Sequence, residues 1–260
     1  MTILDQLADY ARERVKAAKA TIPLEEIKAR AMSMPKGSFR FENALKKDRI
    51  SFICECKKAS PSKGIIAEDF PYLEIAREYE KAGADCISVL TEPSRFLGSD
   101  EYLRQIASEV SIPCLRKDFT VDEYMLYEAK LLGAEAVLLI CSILPAETIH
   151  KYIGICDEMG ISALVEAHDE EEIKSAISAG ARIIGVNNRN LKDFSVDTEN
   201  SRRMRELVPP KILFVSESGI QTAEDVRLVR ESGADAVLIG ETLMRAEDKK
   251  AKLAELRGAL

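Results

Sequence analysis

Histidine is scarce in this chain of 260 residues, which carries only His150 and His168. A zinc site built from imidazole ligands is therefore not expected. The six cysteines do not replace it, because the Cys54-x-Cys56 pair lacks zinc-knuckle spacing and no second pair follows it. We expect the cysteines to be small, buried side chains in a reducing compartment.

Long apolar runs are also lacking, since the longest, such as residues 136–141, are far too short to span a membrane. The first residues do not have the charged and apolar regions of a secretory signal peptide, so we predict a cytoplasmic protein without a membrane partner. A net charge of −7 argues against nucleic acid as a partner, because nucleic-acid-binding proteins usually present a basic face. It does not exclude a small anionic substrate, because a local cluster of Lys and Arg can outweigh the overall charge.

One short pattern recurs along the chain. In each copy a helical segment ends at a glycine, a small residue and usually an acidic residue follow, and an apolar run rich in β-branched residues comes next. The copies are residues 82–90, 132–140, 179–187 and 232–240. The glycine suits a left-handed helix cap, and the apolar run is typical of a strand buried on both faces of a parallel sheet.

Counting all such runs gives eight predicted strands, with amphipathic helical patterns between them. They are residues 50–56, 85–90, 112–116, 135–140, 161–166, 182–187, 212–217 and 235–240. Thr120 with Glu123, and Thr222 with Asp225, have the spacing of capping boxes at helix starts. Eight strand–helix units favour an α/β protein of the (β/α)8 TIM-barrel class. The alternative is a doubly wound open sheet, which typically has fewer strands and a glycine-rich loop after the first one.

Residues 1–47 precede the predicted barrel. Leu4, Leu7 and Ala11 lie on one face of a predicted helix, and a second helical pattern begins near Pro23. This segment is too small to hold a good core alone. We therefore predict one domain over residues 1–260, with 1–47 as a helical extension packed on a barrel formed by 48–260.

Polar residues follow the predicted strands at their carboxyl ends, where TIM barrels carry their chemistry. Alternation along a strand turns Glu55 and Lys57 the same way. Six such residues from five strands are predicted to converge on one acid–base constellation. They are Glu55, Lys57, Lys117, Glu166, Asn187 and Glu217.

The loops after the last two strands predict a phosphate site. Ser218-Gly219 and Gly240-Glu241 place a glycine in each loop, which lets the backbone N–H groups approach a ligand closely. Glu241 is expected to contribute its backbone amide and to turn its carboxylate away.

Two aromatic residues and two further polar residues lie near the same predicted mouth. Phe96 and Phe119 follow strand ends and are predicted to form an apolar wall for an aromatic substrate. Arg116 is expected on the opposite face from Lys117, towards helices or solvent. His168 is expected to be a capping or structural residue.

The combined motifs closely resemble the indole-3-glycerol phosphate synthase family over nearly the whole chain. They are Glu55-Cys-Lys57-Lys-Ala-Ser60-Pro-Ser-Lys-Gly64, Ser88-Val-Leu-Thr-Glu92, Leu115-Arg-Lys117-Asp-Phe119, Gly185-Val-Asn187-Asn-Arg189 and Ser216-Glu217-Ser218-Gly219. The resemblance implies ring closure of 1-(2-carboxyphenylamino)-1-deoxyribulose 5-phosphate with loss of carbon dioxide and water. It implies neither a metal nor an organic cofactor, and its partner is an anionic phosphosugar bearing an anthranilate ring.

The resemblance also implies roles for individual residues. Lys117 is similar to the family's general acid, Glu166 to its general base, and Lys57 to the lysine that binds the substrate carboxylate and can share the acid's duty. Glu55 would orient the lysines, Asn187 and Arg189 would hold substrate polar groups, and Glu217 would serve the sugar hydroxyls or the base. The phosphate positions are Ser60, Gly219, Gly240 and Glu241, and Ser218 adjoins them.

Two alternatives stay open at this point. Another phosphosugar barrel, such as phosphoribosylanthranilate isomerase, would be expected to use a Cys or Asp base, whereas Cys54 and Cys56 are predicted to face the helices. A barrel that binds without catalysing is the second alternative. The division of the acid's duty between Lys57 and Lys117 is also open, and a monomer is our default prediction.

Overall fold

The computed structural model describes residues 2–190 and 195–258, and the strands in them build a closed barrel. They are β1 (Ser51–Cys56), β2 (Ala59–Ser60), β3 (Gly64–Ile65), β4 (Cys86–Leu90), β5 (Cys114–Lys117), β6 (Ala136–Ile140), β7 (Ser162–Ala167), β8 (Ile183–Asn187), β9 (Leu213–Glu217) and β10 (Ala236–Ile239). β2 and β3 form a small antiparallel hairpin, and the other eight are parallel neighbours in chain order, with β10 pairing back to β1. The predicted (β/α)8 fold and its eight strands are confirmed.

Helices precede and surround the barrel. They are α1 (Ile3–Thr21), α2 (Leu24–Ser33), α3 (Arg40–Leu45), α4 (Tyr72–Lys81), α5 (Asp100–Glu109), α6 (Tyr124–Leu131), α7 (Ala146–Met159), α8 (Glu170–Ser178), α9 (Glu199–Arg205), α10 (Ala223–Glu231), α11 (Glu241–Met244) and α12 (Lys249–Leu256). Among the described residues, no helix combines the length and apolar character needed to cross a membrane.

The apolar runs of the sequence form strands whose two faces are both buried. In β6 every residue is buried, with Val137 and Leu139 packed in the cluster between sheet and helices. Leu138 and Ile140 point the other way, into the cluster that fills the barrel. The period of two along a strand therefore sorts each run into an inner and an outer set.

The helix ends follow the predicted glycine pattern. Gly83, Gly133, Gly180 and Gly233 have φ angles of +87°, +88°, +85° and +91°, which an L side chain would resist. Each lies just beyond a helix and turns the chain back into the next strand. The recurring glycine is thus required by backbone geometry.

The two predicted capping boxes have different outcomes. Thr222 and Asp225 form the reciprocal pair at the start of α10, as predicted. The box of Thr120 and Glu123 is wrong, because α6 begins at Tyr124 and Glu123 makes no side-chain cap. The backbone N–H of Tyr124 is instead bonded by the Asp122 carboxylate at 2.9 Å.

The N-terminal segment packs on both ends of the barrel. Leu4 and Leu7 of α1 join the inner apolar cluster at the mouth, while Phe41 and Leu45 of α3 join it at the opposite end. The guanidinium of Arg14 in α1 forms a bidentate ion pair with the buried Asp118, just after β5. The single domain predicted for residues 1–260 stays a prediction, and positions 1, 191–194 and 259–260 lie outside the described residues.

Candidate active site

A cavity of about 660 Å³ lies at the carboxyl ends of the barrel strands. All of the predicted catalytic, substrate-binding and phosphate-binding residues line it. Strand topology therefore brings together positions that are far apart in the chain. The lining includes Glu55, Lys57, Ser60, Phe96, Lys117, Phe119, Glu166, Asn187, Arg189, Glu217, Ser218, Gly219, Gly240 and Glu241.

One side of the cavity is formed by a lysine–glutamate pair at the end of β1. The Lys57 ammonium lies 2.6 Å from Oε1 of the buried Glu55. Gly240 leaves the space for this pair, because a Cβ there would lie 2.8 Å from Nζ of Lys57 and still closer to Oε1 of Glu55. The glycine predicted for close approach to a phosphate therefore also makes room for the β1 charges.

A second lysine lies at the centre of a carboxylate cluster. The ammonium of Lys117 is 3.0 Å from Oε2 of Glu166 and 3.4 Å from Oε2 of Glu217. The amide of Asn187 donates to Oε1 of Glu166 at 3.4 Å. Lys117 is the last residue of β5 and Glu217 the last of β9, while Glu166 lies one residue before the end of β7.

The two carboxyl groups beside Lys117 differ in their tendency to ionise. Burial alone would lower the pKa of Lys117, but the carboxylates of Glu166, Glu217 and Glu55 more than reverse this and raise it. Burial likewise opposes ionisation of Glu166, yet Lys117 and His168 hold its pKa below the usual range. For Glu217, burial together with the charges of Glu166 and Glu55 outweighs Lys117 and raises the pKa to about 8. At neutral pH the cluster therefore holds an ammonium, an ionised Glu166 and a largely neutral Glu217.

The carboxyl group of Glu217 packs closely against Gly185, a contact that was not predicted from the sequence. Its Oε1 atom is buried without a hydrogen-bond partner among the described residues. A Cβ at Gly185 of the neighbouring β8 would collide with this oxygen. The missing side chain at position 185 is thus what admits a carboxyl group there.

The predicted phosphate loops lie together across the cavity. Ser218 and Gly219 both have left-handed φ angles, +67° and +85°, which is uncommon for serine. The side chain of Asn188 holds this turn by donating to the Ser218 carbonyl oxygen at 3.1 Å. Asn188 was not predicted as a site residue, because it follows Asn187 and so points to the opposite face of the strand. Its position beside the Ser218 turn is seen only in the folded structure.

Cations at this end were also missed. The carboxylate of Glu241 accepts from Nε of Arg245 at 3.1 Å and lies 3.7 Å from the ammonium of Lys63. Lys63, Arg245 and Lys252 all line the cavity. Arg245 and Lys252 lie beyond the last strand, and strand-end reasoning does not reach them.

Phe96 and Phe119 form an aromatic pair in the cavity wall, with ring centroids 6.1 Å apart. The loop that carries Phe96 is organised by the buried carboxylate of Glu92, which accepts from the backbone N–H groups of Ser94, Arg95 and Phe96. Glu92 therefore positions one wall of the cavity.

Other polar residues divide between the outer layer and the site. Arg116 is buried towards the helices, where it bonds Asp100 and Glu128. His168 was expected to be a capping or structural residue, and the capping role is wrong because Asp169 caps α8. His168 instead places Nε2 3.3 Å from Oε1 of Glu166. Within residues 2–190 and 195–258, no group of His, Cys, Asp and Glu side chains is arranged to hold a metal ion.

Comparison with known proteins identifies the family of this chain. The family profile described as indole-3-glycerol phosphate synthase matches residues 4–256. The chain belongs to the indole-3-glycerol phosphate synthase family. A relative of that name from Ruminiclostridium cellulolyticum is 58% identical over 258 residues, covering 99% of each chain. Another member, from Lachnoclostridium phytofermentans, is 48% identical and covers 99% of this chain and 100% of its own.

Solved structures outside the indole-3-glycerol phosphate synthase family share the barrel. A 3-hexulose-6-phosphate synthase matches with a TM-score of 0.66 at 16% identity, over 81% of this chain and 100% of that one. A thiamine phosphate pyrophosphorylase from Pyrococcus furiosus matches with a TM-score of 0.60 at 22% identity, over 84% of this chain and 96% of that one. At these identities the likeness shows the fold alone.

Proposed function

We propose that this protein closes the indole ring of indole-3-glycerol phosphate from 1-(2-carboxyphenylamino)-1-deoxyribulose 5-phosphate, with loss of carbon dioxide and water. The observation that carries the proposal is the Lys117 ammonium held 3.0 Å from the Glu166 carboxylate in a cavity shared with the phosphate loops. Family membership supports the same reaction.

The acid of this proposal is Lys117. Its raised pKa means that it carries a proton in the resting enzyme at any working pH. That proton passes to the substrate ketone oxygen as the ring carbon attacks the carbonyl carbon and the new C–C bond forms. The carboxylate on the ring carbon then leaves as carbon dioxide, and its bonding electrons return to the ring.

The base of this proposal is Glu166. In the dehydration, Glu166 would take a proton from the carbon next to the one that bears the new hydroxyl, and Glu166 is held ionised by Lys117 and His168. The hydroxyl would leave as water with a proton from Lys117, which solvent has reprotonated after the ring closure. The Asn187 amide bonds Oε1 of Glu166 and would fix the carboxylate's direction. Glu217, largely neutral, would hydrogen-bond substrate hydroxyls from the other side of Lys117.

The two lysines divide the work by position. Lys57 is paired with Glu55 at 2.6 Å and lies next to Gly240, whereas the lysine paired with Glu166 is Lys117. We assign it to the substrate carboxylate, and the acid's duty to Lys117. Ser60, Ser218, Gly219, Gly240 and the Glu241 amide would hold the phosphate, Arg189 a substrate polar group, and Phe96 and Phe119 the anthranilate ring.

A phosphosugar isomerase with a cysteine base is disfavoured by the position of the β1 thiols. Cys54 and Cys56 are buried in the cluster between barrel and helices, as predicted. Burial raises the pKa of both thiols, which keeps them protonated, and neither thiol lines the cavity. The isomerase alternative consequently lacks its thiol base in this cavity.

The proposed setting is a cytoplasmic monomer that needs no metal or organic cofactor. All six cysteines are free, which suits a reducing compartment. Size-exclusion chromatography with light scattering tests the monomer, and full activity in the presence of a chelator tests metal independence.

Product fluorescence tests the proposed function. The chain contains no tryptophan, so indole emission from the product would stand clear of the protein. Adding the carboxyphenylamino-deoxyribulose phosphate should generate indole fluorescence and release one carbon dioxide for each product. Glu166→Gln should lower kcat more than it raises KM. A wild-type protein that binds this substrate but yields no indole would instead support the non-catalytic barrel.

A further inference from the structure

Lys117 does not by itself distinguish the two carboxylates that flank it. Its ammonium lies 3.0 Å from Glu166 and 3.4 Å from Glu217, and both carboxylates are almost fully buried. One ammonium shared at similar distances would leave the proton's location between the two acids nearly undecided. The proposed reaction needs one of them ionised, so another group must break the symmetry.

His168 is that additional group, and it approaches from outside the catalytic cavity. It lines a second cavity of about 620 Å³, behind the Glu166 side of the mouth, and is not part of the catalytic cavity's lining. Its Nε2 is buried, lies 3.3 Å from Oε1 of Glu166, and makes no hydrogen bond to any described residue. The imidazole therefore reaches the carboxylate without being placed to touch the substrate.

The other ring nitrogen is held by a second carboxylate. Nδ1 of His168 is 3.0 Å from Oε2 of Glu172, and the backbone N–H of His168 donates to the same oxygen at 2.8 Å. The hydroxyl of Ser142 bonds Glu172 and lies 3.4 Å from Nδ1. A carboxylate oxygen lies within 3.3 Å of each ring nitrogen, and two such negative charges favour the imidazolium, in which both nitrogens carry protons.

We propose that His168, held as an imidazolium between Glu166 and Glu172, makes Glu166 rather than Glu217 the base of this site. It acts as a positioning residue, through the effect of its charge on Glu166 at 3.3 Å. This inference rests on the function proposed above and deepens it.

The surrounding charges agree with the proposal. Three acidic residues lie near the His168 ring or its backbone. Glu166 faces the ring from β7, Glu172 faces it from α8, and Asp169, the cap of α8, follows His168 in the chain. From α9, the neutral Asn200 amide bonds the His168 carbonyl oxygen. Burial opposes the imidazolium, but Glu166 and Glu172 outweigh it and raise the pKa of His168 to about 10.

Glu217 has no comparable second cation in the described structure around it. Its Oε1 is unpartnered and faces the space left by Gly185, and Glu55 and Glu166 oppose its ionisation. Two carboxyl groups whose environments push their pKa values apart are how a site assigns its acid and base forms.

The first experiment is the pH profile of kcat/KM for His168→Gln, with His150→Gln as the matched control. Gln keeps a hydrogen-bond donor but not the charge, so a purely structural role would leave the profile in place. Loss of the charge should move the acid limb upward by about 1–3 pH units, while the His150→Gln profile matches the wild type. His168→Arg, which restores a positive charge, should move the limb back. An unshifted limb in His168→Gln would overturn the proposal.

The second experiment does not depend on turnover. In His150→Gln the only histidine is His168, so NMR of the imidazole nitrogens reports it alone. The ring should stay doubly protonated through neutral pH and lose its proton near pH 10. Titration near 6.5, the ordinary value, would overturn the proposal even if His168→Gln failed to fold.

The two experiments also separate this inference from the function on which it rests. A wild-type protein that makes no indole product would refute the proposed function and leave the NMR result standing. Normal turnover with an ordinary His168 titration would refute the inference alone.

Discussion

Replacement of Lys117 by methionine is the most direct perturbation of the candidate site. Methionine is similar in length and unbranched, so it would fill the same space without the ammonium. The change removes the contacts at 3.0 Å to Glu166 and 3.4 Å to Glu217. It also removes the acid that the proposed ring closure requires.

The expected loss of activity follows from the proposed acid's role. General acid catalysis by a positioned side chain contributes about 10²–10⁴-fold, so kcat should fall by that factor, or about 2.7–5.5 kcal/mol of barrier. The fold should survive, because buried carboxyl groups that lose a cation can take up protons instead of remaining charged. Glu166 would also keep its contact with His168.

The assay is indole product formation at saturating substrate, with circular dichroism to verify folding. Lys130→Met is the matched control, since Lys130 is a buried lysine outside the cavity whose ammonium bonds the Met159 carbonyl oxygen. It should leave kcat unchanged. A folded Lys117→Met variant with kcat near that of the wild type would refute the acid's assignment to Lys117.

Three further substitutions test the space beside Glu217, the protonation of Glu217 and the ion pair between Arg14 and Asp118. Gly185→Ala puts a Cβ against Oε1 of Glu217, so displacement of that carboxyl group should lower kcat by about 100-fold in steady-state assays. Glu217→Gln should become more stable relative to the wild type as pH rises from about 4.5 to about 8, measured by urea unfolding. The sign follows because native Glu217 holds a proton in this range that the unfolded chain has released, so rising pH removes stability through this group from the wild type and not from the variant. Arg14→Met leaves the buried Asp118 without its bidentate partner and should lower the free energy of unfolding by about 3 kcal/mol, whereas Arg12→Met breaks an exposed pair and should change it by less than about 1 kcal/mol. Equal effects of the two arginine changes would show that the Asp118 pair does not tie α1 to the barrel.

Secondary structure and strand order could be predicted from the sequence because they depend on local patterns. An apolar run after each glycine cap predicts a doubly buried strand, and the observed β6 and β8 lie within one residue of the predicted bounds. The capping box at Thr222 is likewise a contact between near neighbours. The box at Thr120 failed because Asp122, closer to the helix start, bonds the Tyr124 N–H instead.

The candidate site was predictable to the extent that barrel geometry places strand ends together. Knowing that eight parallel strands close a ring is enough to bring Lys117, Glu166 and Glu217 to one mouth, although they are far apart in the chain. Residues whose role depends on a packed neighbour were missed. The roles of Asn188 and Gly185 cannot be recognised from the residues themselves. Asn188 supports the turn at Ser218 in another loop, and Gly185 matters because its lack of a side chain leaves room for the carboxyl group of Glu217.

The sequence by itself determined the class of fold, the strand-end residues that meet at the mouth and the family. Only the tertiary structure decided how the charges share their protons. That division depends on distances of 3.0, 3.3 and 3.4 Å between groups on β5, β7, β9 and the residue that follows β7. Electrostatic energy between buried groups varies steeply with distance and burial, and neither can be read from the order of residues along the chain.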